Sequence, residues 1–317
     1  GKLVSYNQLA IVGGFMVVYF VNYFIALSGD DLWLNDIGWR YMFASELVPV
    51  TIFLILLYFV PDTPRSLVSH NKEYEALEIL QKVNNEIEAK SILDDIKNTL
   101  VVKSNSALSY GWGLIIIGIL LSVFQQFVGI NVVLYYAPEI FKTLDLGTDV
   151  ALLQTIIVGI VNFLFTIVAV KTVDNYGRKP LMIIGAIGMA IAMIFLGLAF
   201  YLQVGGYVAL ICMMIYVAAF ALSWGPVTWV LLSEIFPNDI RNKAMPIAVA
   251  AQWFSNWLVS VTFPVMNENS YLVDTFNNGF AYWIYGAMSV LAAIFVIKYV
   301  PETKGKTLEE MNKLWKK

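Results

Sequence analysis

Apolar and polar residues in this chain come in blocks. Runs of about 20 apolar residues, each able to cross about 30 Å of hydrocarbon, alternate with short polar stretches. They predict eight helical spans, at 9–27, 41–60, 112–137, 151–170, 181–202, 207–232, 244–266 and 280–299. The longest hydrophilic stretch, 62–107, parts the second span from the third and reads as short helices rich in Glu, Lys and Leu. Within it Tyr74, Leu77, Ile79 and Leu80 recur near helical spacing, which predicts an amphipathic helix.

Composition turns this pattern into a class. With 59% hydrophobic and 14% charged residues over 317 positions and a mean hydropathy of +0.71, the chain is too apolar for a soluble domain. It is an all-α polytopic membrane protein by this reading. Of its 20 Lys and Arg, all but Arg40 and Lys142 fall on one set of alternate segments. The positive-inside rule then places both chain ends in the cytoplasm.

Other classes are excluded by what the residues lack. Cys212, inside an apolar run, is the single cysteine, so no intrachain disulfide forms. The single histidine, His70, lies in a polar loop and rules out a histidine-rich metal site. No cofactor is implied. Motifs of metalloproteases and serine hydrolases are missing, which argues against an intramembrane enzyme. The basic residues are spread over loops and mixed with acids, which argues against nucleic-acid binding.

The uncharged polar residues inside the spans carry the candidate chemistry. Between 104 and 138 there is no charge, yet Gln125, Gln126, Asn131, Tyr135 and Tyr136 stand there together. An amide in hydrocarbon needs a hydrogen-bond partner or costs several kcal/mol. The cluster is therefore either glue between helices or the lining of a polar binding site. In a straight helix Gln126 and Asn131 point about 140° apart and could not face one ligand. A break near Gly129 would let them converge. Trp-Gly-Pro at 224–226 is a second expected interruption, close to Trp229.

An internal repeat organises the chain. Pro-Asp-Thr-Pro-Arg at 61–65 closes the second span and Pro-Glu-Thr-Lys-Gly at 301–305 closes the eighth. A lysine precedes each two-span unit, Lys2 and Lys243, at nearly the same distance. Four further spans lie between the central loop and Lys243, and by this repeat the chain is expected to lack the first four helices of a complete two-fold carrier.

Four motifs carry a family resemblance: Gln-Gln-Phe-Val-Gly-Ile-Asn at 125–131, Asp-Asn-Tyr-Gly-Arg-Lys-Pro at 174–180, Glu-Ile-Phe-Pro-Asn-Asp-Ile-Arg-Asn-Lys-Ala at 234–244 and Pro-Glu-Thr-Lys-Gly-Lys-Thr at 301–307. In this order they resemble the sugar porter family of the major facilitator superfamily, on the side of its bacterial proton symporters. The resemblance implies two six-helix bundles around a central sugar site that opens alternately to each side. On that scheme residues 1–61 are the last two helices of the N-terminal bundle and 62–107 a cytoplasmic helical linker. The C-terminal bundle is 108–300, and 301–317 a cytoplasmic tail.

The same resemblance assigns roles. Gln8, Gln125, Gln126, Asn131, Trp229 and Gln252 match sugar-contacting positions, with Tyr135, Gly225 and Trp253 as further candidates. Carboxamides suit a sugar because each offers two donors and an acceptor to hydroxyls, while aromatic faces cover the C–H surface of the ring. Asp174, Arg178, Glu234 and Arg241 are the expected gate, acid–guanidinium pairs that close the inward side. Glu46 is the candidate proton-linked group, the acid within the second span. Three departures are Phe15, where bacterial xylose carriers usually have a second glutamine, and Ser66 and Asn242 in place of Trp and Gly.

The implied function is transport of a monosaccharide, D-xylose foremost, by proton symport across the bacterial inner membrane. The alternative is a non-transporting sugar receptor or a regulatory partner of a full-length carrier.

Overall fold

A computed structural model describes residues 2–101, 110–142, 148–204 and 206–305. The far end of the expected linker, 102–107, and most of the expected tail, 306–317, lie outside them. Helices in chain order are α1 (Lys2–Ala26), α2 (Asp31–Trp33) running into a π-helical turn at Leu34–Gly38, α3 (Trp39–Ser45), α4 (Leu47–Leu57), α5 (Pro64–Ser69), α6 (Glu73–Gln81) and α7 (Glu86–Val101). There follow α8 (Trp112–Phe127), α9 (Ile130–Tyr135), α10 (Ala137–Lys142), α11 (Thr148–Tyr176), α12 (Arg178–Tyr201), α13 (Gly206–Leu222), α14 (Trp224–Ile235), α15 (Asn238–Glu268), α16 (Ser270–Phe276) and α17 (Phe280–Tyr299). Among the described residues there is no strand.

Seven described segments are long and apolar enough to cross a membrane: Tyr6–Ala26, Asp31–Leu57, Trp112–Tyr135, Val150–Tyr176, Arg178–Tyr201, Gly206–Ile235 and Phe280–Tyr299. The eighth expected span, 244–266, lies within α15, which is long enough but dilutes its apolar residues with Gln252, Ser255, Asn256, Ser260 and Thr262. Three spans are composite: α2 to α4 with the π-helical turn between them, α8 with α9, and α13 with α14. The protein is multi-pass.

By contact the chain forms two compact units, residues 1–39 with 107–317, and 40–106. In the larger, α1 packs on α11, α8 on α15, and α12 between α13 and α17. Small residues let these helices approach, among them Ala186, Ala190, Ala281 and Ala292, all buried. Trp224, Tyr216 and Tyr282 fill the spaces between them, each fully buried.

Gly129 breaks the third expected span, at the place that lets Gln126 and Asn131 converge. It stands at φ +92°, and a Cβ there would lie 2.6 Å from the Tyr285 ring. Both the left-handed backbone and the close approach select glycine. Gly129→Ala is expected to cost at least 2 kcal/mol, roughly the sum of a strained left-handed residue and the displaced ring, read as a lower thermal midpoint. An unchanged midpoint would show that the break tolerates a side chain. The second break falls at Ser223, one residue before Trp-Gly-Pro, with φ −133° and ψ −89°. Pro226 is then the third residue of α14, where a missing N–H leaves no helical bond unmade.

The smaller unit contains α4 to α7. Thr63 caps α5 by accepting from the Ser66 N–H at 3.3 Å, with Pro64 in the first turn. Leu67, Val68, Ala76, Leu80, Ala89 and Leu93 form its buried cluster, and Leu77 and Ile79 pack against it. Tyr74, expected on that face, is 81% exposed. It lies two residues before Ala76, on the other side of a helix whose buried line runs through positions 76 and 80. No residue of α4 is buried, and its surface is apolar on all sides. Such a surface is satisfied by hydrocarbon or by further helices.

Candidate functional site

Two amides at the end of α8 and one just past the Gly129 break form a chain. The Gln125 side-chain amide donates to the Trp224 carbonyl at 3.2 Å, one residue past the second helix break. Gln126 donates to Gln125 Oε1 at 3.2 Å. Asn131 donates from one NH2 group to Gln126 Oε1 at 2.5 Å and to Asn256 Oδ1 at 2.8 Å. The chain thus ties α8, α9, α14 and α15 together, and its residues also face open space.

That space is a cavity of about 170 Å³, room for on the order of ten waters. Around it stand Gln8, Gln125, Gln126, Asn131, Tyr135, Trp229, Gln252 and Trp253, together with Phe15, Asn162 and Asn256. Every residue expected to contact a sugar except Gly225 lines this one cavity. Gly225 lies just behind it, where a Cβ would sit 3.6 Å from Gln8 Nε2 and 3.2 Å from the Phe220 ring. Gln252 lines the cavity, is 6% exposed and has no hydrogen-bond partner for its Oε1 among the described residues. Trp229 is half-buried, whereas Trp253 is 62% exposed and contributes at the rim. Phe15 packs at 6.2 Å from Tyr135, ring centre to ring centre, and closes part of one wall with apolar surface.

Asn162 and Asn256 were not expected. Asn256 stands one turn after Gln252 in α15, a spacing that places both on one face and was readable from the chain. Asn162 of α11 is 3% exposed; Gln154, a second buried amide of the same helix, does not line the cavity, and nothing along the sequence tells the two apart.

The expected gate residues also meet. Arg178 opens α12 and is 6% exposed. Its guanidinium donates to Glu234 at 2.9 and 3.2 Å, to Asp174 at 2.9 Å and to the Val173 carbonyl at 3.3 Å. Arg241 donates to the Phe236 carbonyl at 3.0 Å. Burial pushes its guanidinium below the usual range, with Glu234 acting in the opposite direction.

Two residues beyond the expected set complete this cluster. Glu302, just after α17, accepts from the backbone N–H groups of Arg178 and Lys179 at 3.0 Å each, capping the positive end of α12. Gly177 must be glycine beside it, since φ is +90° and a Cβ would lie 2.8 Å from Glu302 Oε2. Thr303 donates from its hydroxyl to Glu234 Oε2 at 2.6 Å. Thr303→Val is expected to lower stability by about 1 kcal/mol, the net value of one hydrogen bond, measured by thermal unfolding.

Glu46 sits in the smaller unit, exposed at the junction of α3 and α4.

Comparison with known proteins fits this geometry. The family model described as "Sugar (and other) transporter" matches residues 1–315. The D-xylose-proton symporter of Escherichia coli strain K12 is 62% identical over 99% of this chain, and the chain spans 65% of that relative's length. The glucose facilitated diffusion protein of Zymomonas mobilis is 43% identical, with 100% of this chain and 68% of the relative covered. A solved structure of the proton:xylose symporter XylE of the major facilitator superfamily, bound to 6-bromo-6-deoxy-D-glucose, superposes with a TM-score of 0.85 at 62% identity, covering 100% of this chain and 67% of that one. A match along nearly the whole chain, at this identity and with this superposition, makes the protein a member of the sugar (and other) transporter family.

Proposed function

We propose that this protein carries a monosaccharide, D-xylose foremost, across the bacterial inner membrane together with a proton, by alternating access. The observation that supports it most is the cavity lined by Gln8, Gln125, Gln126, Asn131 and Gln252, with Trp229 on its wall. Interhelical glue needs no open space between its amides. Here amides from several helices surround one, and a sugar hydroxyl, both donor and acceptor, suits them. The curated relatives are named for xylose, arabinose and glucose, so a monosaccharide is their shared chemistry.

In this reading Gln8, Gln125, Gln126, Asn131 and Gln252 hold hydroxyls, and Trp229 covers the ring, with Tyr135, Gly225 and Trp253 shaping the periphery. Asp174, Arg178, Glu234 and Arg241 hold the inward side closed, and Glu46 belongs to the proton path. The division into a helix pair at 1–61, a linker at 62–107 and a bundle at 108–300, with both ends cytoplasmic, is part of the same proposal.

The test is a tryptophan-fluorescence titration with D-xylose, followed by uptake into proteoliposomes under a pH gradient. Saturable binding with proton-dependent uptake is expected. No binding at millimolar sugar would sink the proposal, and binding without uptake would favour the receptor reading. Phe15→Gln is expected to tighten D-xylose binding by about fivefold, the value of roughly one added hydrogen bond to a hydroxyl. A weaker complex would mean that the Phe15 ring itself packs on the sugar.

A further inference from the structure

Three tyrosine hydroxyls in the larger unit donate to backbone carbonyls at helix ends and beside prolines. Leu134 lies near the end of α9, where the helical path stops at Tyr136 and leaves the last carbonyls without helical donors. Tyr19 of α1 donates to the Leu134 carbonyl at 2.7 Å. Ser260 of α15 has Pro264 four positions on, and the Tyr136 hydroxyl reaches it at 3.0 Å. Val128, the last residue before the Gly129 break, receives the Tyr216 hydroxyl at 2.8 Å. A carbonyl without a donor is costly in hydrocarbon, so each of these hydroxyls answers a specific loss.

We propose that Tyr19 is a positioning residue whose hydroxyl satisfies the orphan Leu134 carbonyl at the C-terminal end of α9 and so holds α9, with Asn131, in the cavity wall. Helix α9 spans Ile130–Tyr135 and is interrupted at both ends, by Gly129 at φ +92° and Tyr136 at φ −105°. A helix this short does not hold its place by its own hydrogen bonds. It is fastened at one end by Tyr216 to Val128 and at the other by Tyr19 to Leu134. The Tyr19 ring is itself seated, because a Cβ on Gly159 of α11 would lie 2.7 Å from it. Freed from Tyr19, α9 swings about Gly129 and takes Asn131 away from Gln126 and Asn256.

The consequence for ligand affinity rests on the sugar-site reading above, whereas the tether does not, and a double-variant cycle separates the two. Tyr19→Phe, Gly159→Ala and the double variant would be purified in lipid nanodiscs alongside the parent. Hydrogen exchange of the α9 amides and D-xylose affinity would be measured on each. Tyr19→Phe keeps the ring and is expected to speed α9 exchange about tenfold, with α12 exchange unchanged, and to weaken D-xylose binding about fivefold. Gly159→Ala keeps the hydroxyl and displaces the ring, so it should reproduce the faster exchange, and adding Tyr19→Phe to it should change exchange and binding by less than about twofold. Unchanged exchange in Tyr19→Phe, or losses that add in the double variant, overturns the tether. If the parent binds no D-xylose, the sugar reading fails and the exchange cycle still decides the tether.

Discussion

Asn131→Ala is expected to weaken D-xylose binding by about 100-fold, close to 2.7 kcal/mol. Three losses add. The NH2 group that offers hydrogens at the cavity wall disappears. Gln126 Oε1 and Asn256 Oδ1, which accept from it at 2.5 and 2.8 Å, are left without that donor, at about 1–3 kcal/mol for each acceptor that stays dry. Finally Gln126, itself 7% exposed, loses the contact that orients it. Asn131→Asp is a sharper control, since it keeps the shape and replaces two donors with acceptors facing acceptors. Its affinity should fall at least as far as that of the alanine variant. Fluorescence titration with D-xylose reads both, and a change below about threefold in either would show that the amide chain is structural and the ligand sits elsewhere.

Arg178→Ala should have the largest effect on stability, about 3–5 kcal/mol, as for a buried ion pair broken from one side. The guanidinium uses three nitrogens on four acceptors, and its removal leaves Glu234, with 24% of its side chain exposed, holding an uncompensated charge. Asp174, 54% exposed, is rescued by solvent and contributes less. Arg178→Lys should recover only a fraction of the loss, because an ammonium cannot serve Glu234, Asp174 and the Val173 carbonyl together. Thermal unfolding measures these changes. Full recovery with lysine would mean that charge alone matters, and the forked geometry would carry no weight.

Much of the fold was legible because membrane helices are selected locally. A run of apolar residues long enough to span hydrocarbon has few alternatives to a helix, and the break at Gly129 followed from the angle between Gln126 and Asn131. The cavity was legible to the extent that its residues are amides in apolar surroundings. Asn162 escaped because a buried amide in a long apolar helix has the same appearance whether it faces the cavity, as Asn162 does, or stands away from it, as Gln154 of the same helix does. The partners Glu302 and Thr303 escaped as members of the Arg178–Glu234 cluster because their place in it depends on where the chain after α17 returns.

By itself the sequence determined the solvent of this protein, the helices that suit it and which side chains are costly to leave there unpaired. The tertiary structure decided who satisfies whom: Gln125 with Trp224 across 99 residues, Asn131 with Asn256 across 125 and Tyr19 with Leu134 across 115. The physical reason is range. Hydrophobic transfer is a property of each segment, additive along the chain, whereas a hydrogen bond exists only when two groups come within about 3 Å at a suitable angle. That condition is set by how whole helices are placed.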